Sequence, residues 1–337
     1  MTLIYAVLIF CLLIFVHEFG HFVTAKMCGI KVNEFAIGMG PALFQKQKGE
    51  TLYSVRAIPI GGFCAMEGED EDSEDERAFN NQPAWQRAIV LAAGSIMNLL
   101  TAIVLMIIIA FYMGQATTTI ETVQDASPAY EAGIMAGDEV IKINGTNIEE
   151  WSDLQTIVGD NEGEAVTFTV LRNGSETDIE VIPEYDKEAG RSLVGVTPTM
   201  ARNPVKAVGT GITNTWDMTV MMYDLIGQLF TGDVSAKELS GPVGIVYVVN
   251  DSAKMGFIYV VYLAALLSLN LAVINLLPFP ALDGGRLLFL LIRKITGKRV
   301  TDEMEGKIHF IGIMLLFALM IYVTWNDIIR FIVPIFS

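Results

Sequence analysis

The sequence contains few of the residues that build disulfide frameworks or basic binding surfaces. Its three cysteines, Cys11, Cys28 and Cys64, have no CxxC spacing, so we expect neither a disulfide framework nor a cysteine metal site. Lysine and arginine number 22 against 38 acidic residues, and the net charge of −16 argues against a nucleic-acid partner. Histidine is also scarce, and two of the three histidines lie within five residues of each other. That short stretch is therefore the first place to look for chemistry.

Charge is missing from long parts of the chain. Of the 337 residues, 52% are hydrophobic, and four apolar runs are long enough to cross a membrane. They extend approximately over residues 3–27, 88–113, 257–277 and 308–323, and the last can be extended to 333. The first run has no basic residue ahead of it and carries HEFGH where a cleavage site would be needed. We therefore expect it to be a retained membrane span and not a cleaved signal peptide.

The pentapeptide HEFGH, residues 17–21, lies at the end of the first apolar run. Residues four apart lie on one face of a helix, so His17 and His21 can offer two imidazole nitrogens to one zinc ion. Glu18 beside them is a candidate general base that takes a proton from the attacking water. The alternative is a chance motif whose histidines only bond neighbouring helices. Ionisable groups at membrane depth are functional by default, which favours the metal site.

The third apolar run ends in a second informative stretch, NLLPFPALDGG at residues 275–285. Two prolines and two glycines directly after an apolar helix force a break in the chain, and Asp283 emerges there. Hydrolytic zinc sites use three protein ligands and leave a position for water. We predict that Asp283 is the third ligand, although Asp-Gly-Gly taken alone is a common turn.

Residues 33–66 are expected to form short strands broken by glycine. The alternation over Thr51–Ile58 predicts a hairpin strand whose edge could hold an extended substrate through the main chain of Thr51, Tyr53 and Val55. An ordinary hairpin is the alternative. The next residues, 67–76, carry eight acidic side chains in ten positions and are expected to be a solvated loop.

Two further polar residues in the apolar runs need partners. Asn98 in the second run follows Gly94 by one helical turn and can pack against a neighbouring helix or support a metal ligand. We also include it among the candidates for substrate binding. His309 opens the fourth run, far from either motif, and we assign it to packing at the helix end and not to ligation.

Between residues 116 and 186 the sequence pattern changes to the β-rich alternation that is typical of a soluble domain. The segment AGDEVIKING at 136–145, a helix-compatible stretch at 149–158 and two alternating runs around Arg172-Asn173-Gly174 resemble a PDZ domain. Such a domain implies a peptide groove, and the alternative is a plug that binds nothing. Residues 187–256 are expected to be a connector with an amphipathic helix over 203–230, resting on a membrane surface or packing in a core.

Basic residues in the short loops set the expected orientation. Six lie between Arg286 and Lys307, and five more lie in residues 26–56, so both loops should be cytoplasmic. Four spans then place both termini and residues 115–255 outside, with HEFGH toward the cytoplasmic side.

These residues resemble the site-2 protease family of intramembrane zinc metalloproteases, in its bacterial branch with one PDZ domain. The resemblance covers HEFGH, FAIGMGP, YSVRAIPIGGF, the PDZ-like segment, LSGPVGI at 239–245 and NLLPFPALDGG. It implies one Zn²⁺ per chain held by His17, His21 and Asp283, with Glu18 catalytic. It also implies that Asn270 and Asn275 hold the substrate backbone. Family members often have Gly-Pro where this chain has Gly94-Ser95.

We therefore predict a membrane α-helical protein with about four transmembrane helices, a membrane-associated β-hairpin region and an inserted extracytoplasmic PDZ-like α+β domain. The predicted divisions are 1–115, 116–186, 187–256 and 257–337. The resemblance implies a multi-pass protein of the bacterial inner membrane that cleaves single-span substrates such as anti-sigma factors after a first cut, or signal-peptide remnants. The lipid bilayer and a peptide tail at the PDZ-like domain are the other expected partners. A non-enzymatic PDZ-bearing scaffold and a transporter with a broken third helix are the alternatives.

Overall fold

The computed structural model describes residues 2–69, 73–161, 163–234, 240–297 and 302–333. Residues 70–72 of the predicted acidic loop and Leu239 of LSGPVGI lie outside this range. The chain divides into two compact units, one formed by 1–109 with 210–337 and the other by 110–209.

Helices and strands follow the chain in this order. The helices are α1 (Thr2–Met27), α2 (Ala84–Met113), α3 (Pro128–Ala132), α4 (Trp151–Gly159), α5 (Pro204–Thr231), α6 (Pro242–Met255), α7 (Phe257–Asn275), α8 (Asp283–Thr296) and α9 (Asp302–Asp327). The strands are β1 (Val32–Lys48), β2 (Thr51–Met66), β3 (Gln115–Val123), β4 (Glu139–Ile143), β5 (Thr146–Asn147), β6 (Val166–Arg172), β7 (Ser175–Val181), β8 (Glu184–Asp186), β9 (Arg191–Leu193) and β10 (Val196–Ala201).

Four helical segments are long and apolar enough to cross a membrane. They are Ile4–Met27, Ala84–Met113, Phe257–Asn275 and Met304–Phe331. The second begins at 84 and not at 88, because Gln86 and Arg87 form its polar first turn directly after Pro83. The four segments agree with the predicted runs to within a few residues at most ends, while their number and orientation as spans stay predictions.

Helices α1 and α2 cross closely where glycine replaces a side chain. A Cβ on Gly20 of α1 would lie 2.5 Å from the carbonyl oxygen of Ala93 on α2. Small residues permit this approach of two backbones, which is the usual way in which apolar helices pack when lipid competes for their surfaces. The other end of α1 packs through Ala6, Ile9 and Leu13 against α6 and α7. Helix α1 is thereby held along its length.

The strands β1 and β2 pair with each other along two stretches. Phe35 lies opposite both Cys64 and Tyr53, and Tyr53 lies opposite both Phe35 and Lys46. The positive φ of Gly38 allows the bend that brings the backbone close to Ile58. Residues 52–55 therefore have paired neighbours on both sides. The strand edge predicted over Thr51–Ile58 is therefore not free at residues 52–55, where β1 lies on both sides.

An ion pair between Glu34 and Arg56 joins β1 to β2. The Glu34 carboxylate accepts hydrogen bonds from Ser54 Oγ at 2.5 Å and from an Arg56 guanidinium nitrogen at 2.7 Å. Burial raises the pKa of Glu34, but these two donors lower it by more, so its pKa lies below its ordinary value. The charged form of Glu34 thus links β1 to the middle of β2.

The second unit is a mixed α+β domain. Its main sheet has the strand order β10-β3-β4-β6-β7, with β5 paired to β4, and β8 and β9 form a separate pair. Its core contains Val140, Phe168 and Trp151 from two strands and α4. The unit extends to residue 209, beyond the predicted PDZ-like segment 116–186, because β9 and β10 belong to it. The first strands of the predicted connector 187–256 are thus part of a sheet.

The predicted amphipathic helix over 203–230 corresponds to α5. Met218 and Met222 pack against Ala102, Leu269 and Val273 of α2 and α7. These two methionines therefore pack in the core, as one of the two predicted alternatives has it. Trp216 and Met221 of the same helix are exposed.

The second unit contains one nearly buried carboxylate paired with arginine. Asp138 is 1% exposed and accepts hydrogen bonds from Arg172 at 2.6 and 2.7 Å and from the Met135 amide at 2.9 Å. Burial raises the pKa of Asp138, but Arg172 and the amide lower it by more, so its pKa lies below its ordinary value. A carboxyl group with a depressed folded-state pKa stabilises the fold above its ordinary pKa and loses that contribution as the pH falls.

We expect Asp138→Asn to destabilise the second unit by about 1.5–3 kcal/mol, because Arg172 loses its charged hydrogen-bond acceptor. Hydrogen exchange of β4 and β6 amides in the full-length protein measures the effect. The difference from wild type should begin to shrink as the pH falls below about 4, where the unfolded carboxyl takes up a proton. It should vanish only as the pH passes through the depressed pKa of folded Asp138, where the wild-type carboxylate is itself neutralised. Asp178→Asn is the control, because its exposed carboxylate accepts a hydrogen bond from Thr169 in the same sheet and has no ion pair among the described residues. Equal protection in both variants would contradict the prediction.

Candidate metal centre

Three side chains from two distant parts of the chain converge in the first unit. The Nε2 atoms of His17 and His21 are 3.2 Å apart, and Asp283 Oδ2 lies 3.2 Å from the first and 3.5 Å from the second. Both histidines are buried, and Asp283 is half-buried at the first turn of α8. These three residues form the one group with metal-ligand geometry among the described residues.

The spacing of these atoms fits a tetrahedral zinc site. Nitrogen and oxygen ligands lie about 2.0–2.2 Å from zinc, so two ligands of a tetrahedron are about 3.3–3.6 Å apart. The three observed separations, 3.2, 3.2 and 3.5 Å, agree with this value. Asp283 Oδ2 is buried and, among the described residues, accepts no hydrogen bond of regular geometry. A cation is the partner that this group of acceptors lacks.

The second nitrogen of His21 supports the same assignment. Its Nδ1 lies 2.8 Å from the backbone carbonyl oxygen of Val90 on α2. A carbonyl can only accept, so Nδ1 carries the proton and the lone pair of Nε2 points into the site. Histidines that bind metals usually donate their other ring N–H to an acceptor of this kind. A backbone carbonyl has no signature in the sequence, so Val90 could not have been predicted.

Asn98 on α2 contacts His17 from the other side. Its side-chain amide lies 3.2 Å from His17 Nδ1, and its Oδ1 is buried without a hydrogen-bond partner among the described residues. The oxygen and nitrogen of an amide are exchanged by a half-turn of its side chain. A half-turn lets Oδ1 accept the Nδ1 proton of His17, as zinc ligation through Nε2 requires. Asn98 is fully buried and faces His17, so it does not line a surface for substrate.

Gly94 supplies the space in which both imidazoles lie. A Cβ at this position would be 2.7 Å from His17 Cε1 and 2.8 Å from His17 Nε2, and would also contact His21 Nε2. Any side chain here would displace the rings. The glycine one turn before Asn98 was visible in the sequence, but only the crossing of α1 and α2 explains it.

The side chain of Glu18 extends toward β2. Its Cγ lies 3.4 Å from the point where a Cβ on Gly62 would be. Residues 62–66 pair with residues 32–37 of β1. This end of β2 lies beside Glu18.

The other predicted substrate-binding residues lie on the β1–β2 hairpin and on α7. Thr51 is 1% exposed and donates its hydroxyl to the carbonyl of Val32, so its side chain serves the sheet. Tyr53 and Val55 line a groove of about 430 Å³ on the face of the hairpin. Asn270 and Asn275 are half-buried on the last two turns of α7.

His309 has a partner that sequence analysis missed. Its Nδ1 accepts the backbone N–H of Ala281 at 2.8 Å, two residues before Asp283. The packing assigned to it from the sequence is therefore incomplete. Nothing in the local sequence links residue 309 to residue 281, and only the packing of α9 on the loop before α8 reveals the contact.

Comparison with known proteins gives consistent matches over most of the chain. The model of peptidase family M50 matches residues 5–319. A zinc metalloprotease of Clostridium acetobutylicum is 41% identical over 330 residues, which cover 97% of each chain. The regulator of sigma-W protease RasP of Bacillus subtilis is 32% identical over 98% of each chain.

Solved structures that are similar to part of this chain include a PDZ domain. It is the PDZ domain of the SdrC-like protein from Listeria monocytogenes, with 16% identity and a TM-score of 0.23. The match covers 25% of this chain and 88% of that domain.

The resemblance to site-2 proteases is thus confirmed by a family match that covers nearly the whole chain, and zinc is the cofactor that this family implies. The non-enzymatic scaffold and the transporter are not supported. The chain is a membrane zinc metalloprotease and belongs to peptidase family M50.

Proposed function

We propose that this metalloprotease holds one zinc ion with His17 Nε2, His21 Nε2 and Asp283 Oδ2, and uses Glu18 as general base to cleave membrane-spanning segments of other proteins. The observation that carries the proposal is the triangle of ligand atoms with sides of 3.2, 3.2 and 3.5 Å, built on apolar helices. His21 is supported by Val90, and His17 by Asn98.

The chemistry divides between the cofactor and the chain. Zinc, when bound, supplies a Lewis acid that polarises the scissile carbonyl and activates water for attack. Glu18 takes the proton of the attacking water as the new carbon–oxygen bond forms. It then gives that proton to the amine nitrogen as the carbon–nitrogen bond breaks. The burial of the site strengthens each of these electrostatic interactions.

The substrate strand is proposed to lie along residues 62–66 of β2. These residues pair with β1 on one side, and Gly62 adjoins Glu18. An extended peptide added to a strand is held by main-chain hydrogen bonds, which suits substrates that share little sequence. A transmembrane helix must unwind to bind in this way. Tyr53, Val55, Asn270 and Asn275 remain candidates for contacts further along the substrate.

The proposed setting is the inner membrane of a bacterium, crossed by four helices. Basic residues between 286 and 307 and between 26 and 56 support a cytoplasmic position for these loops and for the active site. The PDZ-like unit is then extracytoplasmic, where it can bind a peptide tail or restrict access. By similarity to the sigma-W regulator of Bacillus subtilis, we propose substrates that control a sigma factor, such as an anti-sigma factor after a first cut, or signal-peptide remnants.

We expect Glu18→Gln to retain one zinc per chain and to lose cleavage of a transmembrane peptide in detergent micelles by at least about 10²-fold, because proton transfer is lost while the ligands remain. Metal analysis and mass spectrometry of the products measure the two effects. His17→Ala is the comparison and should lose zinc as well as activity. Turnover by the Gln variant at the wild-type rate would refute the assigned role of Glu18.

We expect Gly94→Ala to weaken zinc binding by about 10–100-fold, as changes beside metal ligands usually do. Alanine favours a helix more than glycine by about 1 kcal/mol, so a loss of zinc could not come from a weakened helix. Chelator competition with the purified full chain measures the affinity. Ile96→Ala is the control, because Ile96 is exposed on the same helix. Wild-type zinc affinity in Gly94→Ala would show that the rings do not bind zinc where they now lie.

A further inference from the structure

The loop between α7 and α8 carries Asp283 in an unusual backbone conformation. Ala281 has φ of 79°, a left-handed value that residues with a side chain rarely adopt. Such a conformation is strained for a residue with a side chain and persists only where the surroundings impose it. Pro278 and Pro280 restrict the chain just before it, but neither restricts Ala281 itself.

A side chain from α9 holds the backbone at this point. The N–H of Ala281 donates to His309 Nδ1 at 2.8 Å, and the His309 side chain is 15% exposed. Because Nδ1 accepts this bond, the imidazole must present a lone pair there and carry its proton on Nε2. That Nε2 lies 3.6 Å from the Glu305 carboxylate, one turn earlier on α9. Glu305 is in turn paired with Arg293 of α8 at 2.5 Å.

Close packing leaves the loop little freedom. A Cβ on Gly312 of α9 would lie 2.5 Å from the Pro280 carbonyl oxygen, and a Cβ on Gly285 of α8 would collide with the Phe279 carbonyl. The ring of Phe289 on α8 lies 5.5 Å from the His309 imidazole. The loop therefore packs between α8 and α9. The hydrogen bond from the Ala281 N–H to His309 Nδ1 is a polar contact within this packing.

We propose that His309 is a positioning residue for the metal ligand Asp283: its Nδ1 fixes Ala281 in the left-handed conformation and so directs the Asp283 carboxylate toward His17 and His21. The inference rests on the proposed role of Asp283 as a ligand. The hydrogen bond at Ala281 can act on Asp283 because only Leu282, the residue that precedes α8, separates the two. A role in packing alone would need the ring but not the acceptor atom.

The test separates the acceptor from the ring. Asparagine carries its Oδ1 close to where histidine has Nδ1, whereas glutamine carries its amide further out, and leucine fills space without an acceptor. We expect His309→Gln and His309→Leu to weaken zinc binding by about 10–100-fold. Hydrogen exchange at the Ala281 amide should accelerate at least about tenfold in both. His309→Asn should keep zinc affinity and exchange near the wild-type values.

These measurements use the full-length protein in detergent, with chelator competition for zinc and exchange followed in the peptide that contains Ala281. Phe310→Ala is the control, because Phe310 is exposed at the next position of α9. Wild-type zinc affinity in His309→Gln or His309→Leu would overturn the proposal. Equal losses in His309→Asn and His309→Gln would also overturn it, because the ring and not the acceptor would then matter. The Asn and Gln pair decides the question if the Leu variant does not fold.

Asp283→Ala distinguishes this inference from the proposed function. If Asp283→Ala retains zinc at wild-type affinity, the ligand set is wrong and both proposals fail. If Asp283→Ala loses zinc while His309→Gln keeps it, only the role of His309 fails. Loss of zinc in both, with retention in His309→Asn, is the result expected here.

Discussion

The close crossing of α1 and α2 is the constraint on which the candidate metal centre depends. Gly20 lets the two backbones approach, and Gly94 leaves room for both imidazole rings between them. The same crossing brings the Val90 carbonyl and the Asn98 amide to the outer nitrogens of His21 and His17. One helix therefore provides the ligands and the other provides their hydrogen-bonding partners and their space. In lipid, where apolar burial does not drive helices together, such close packing and buried polar contacts hold the pair.

The third proposed ligand, Asp283, is positioned in a different way from the two histidines. Asp283 begins a helix after a proline-rich break, so its position depends on a loop and not on a regular element. Loops are placed precisely only when other elements pack on them, and here α8 and α9 approach through Gly285 and Gly312. The left-handed Ala281 marks the strain in this arrangement. The site thus combines a rigid pair of ligands with one that requires support.

The sequence was sufficient to predict the site residues that belong to short motifs of recognisable spacing. HEFGH on an apolar run and Asp283 at a helix break predicted three side chains that do converge. It was insufficient where pairing depends on distant segments. The strand around Tyr53 alternates like an edge strand, but β1 returns to pair with it on both sides, and no local pattern encodes that return. The contact from His309 to Ala281 and the role of the Val90 carbonyl are equally invisible, since each arises from the packing of separate helices.

The order of the three converging residues along the chain has a consequence for biosynthesis. His17 and His21 precede Asp283 by more than 260 residues and so leave the ribosome well before it. A nascent chain that still lacks its final helices has two imidazoles and no carboxylate to complete the proposed coordination. Under the proposed ligand set, hydrolytic competence would therefore arise only after α8, which begins at Asp283, has been synthesised.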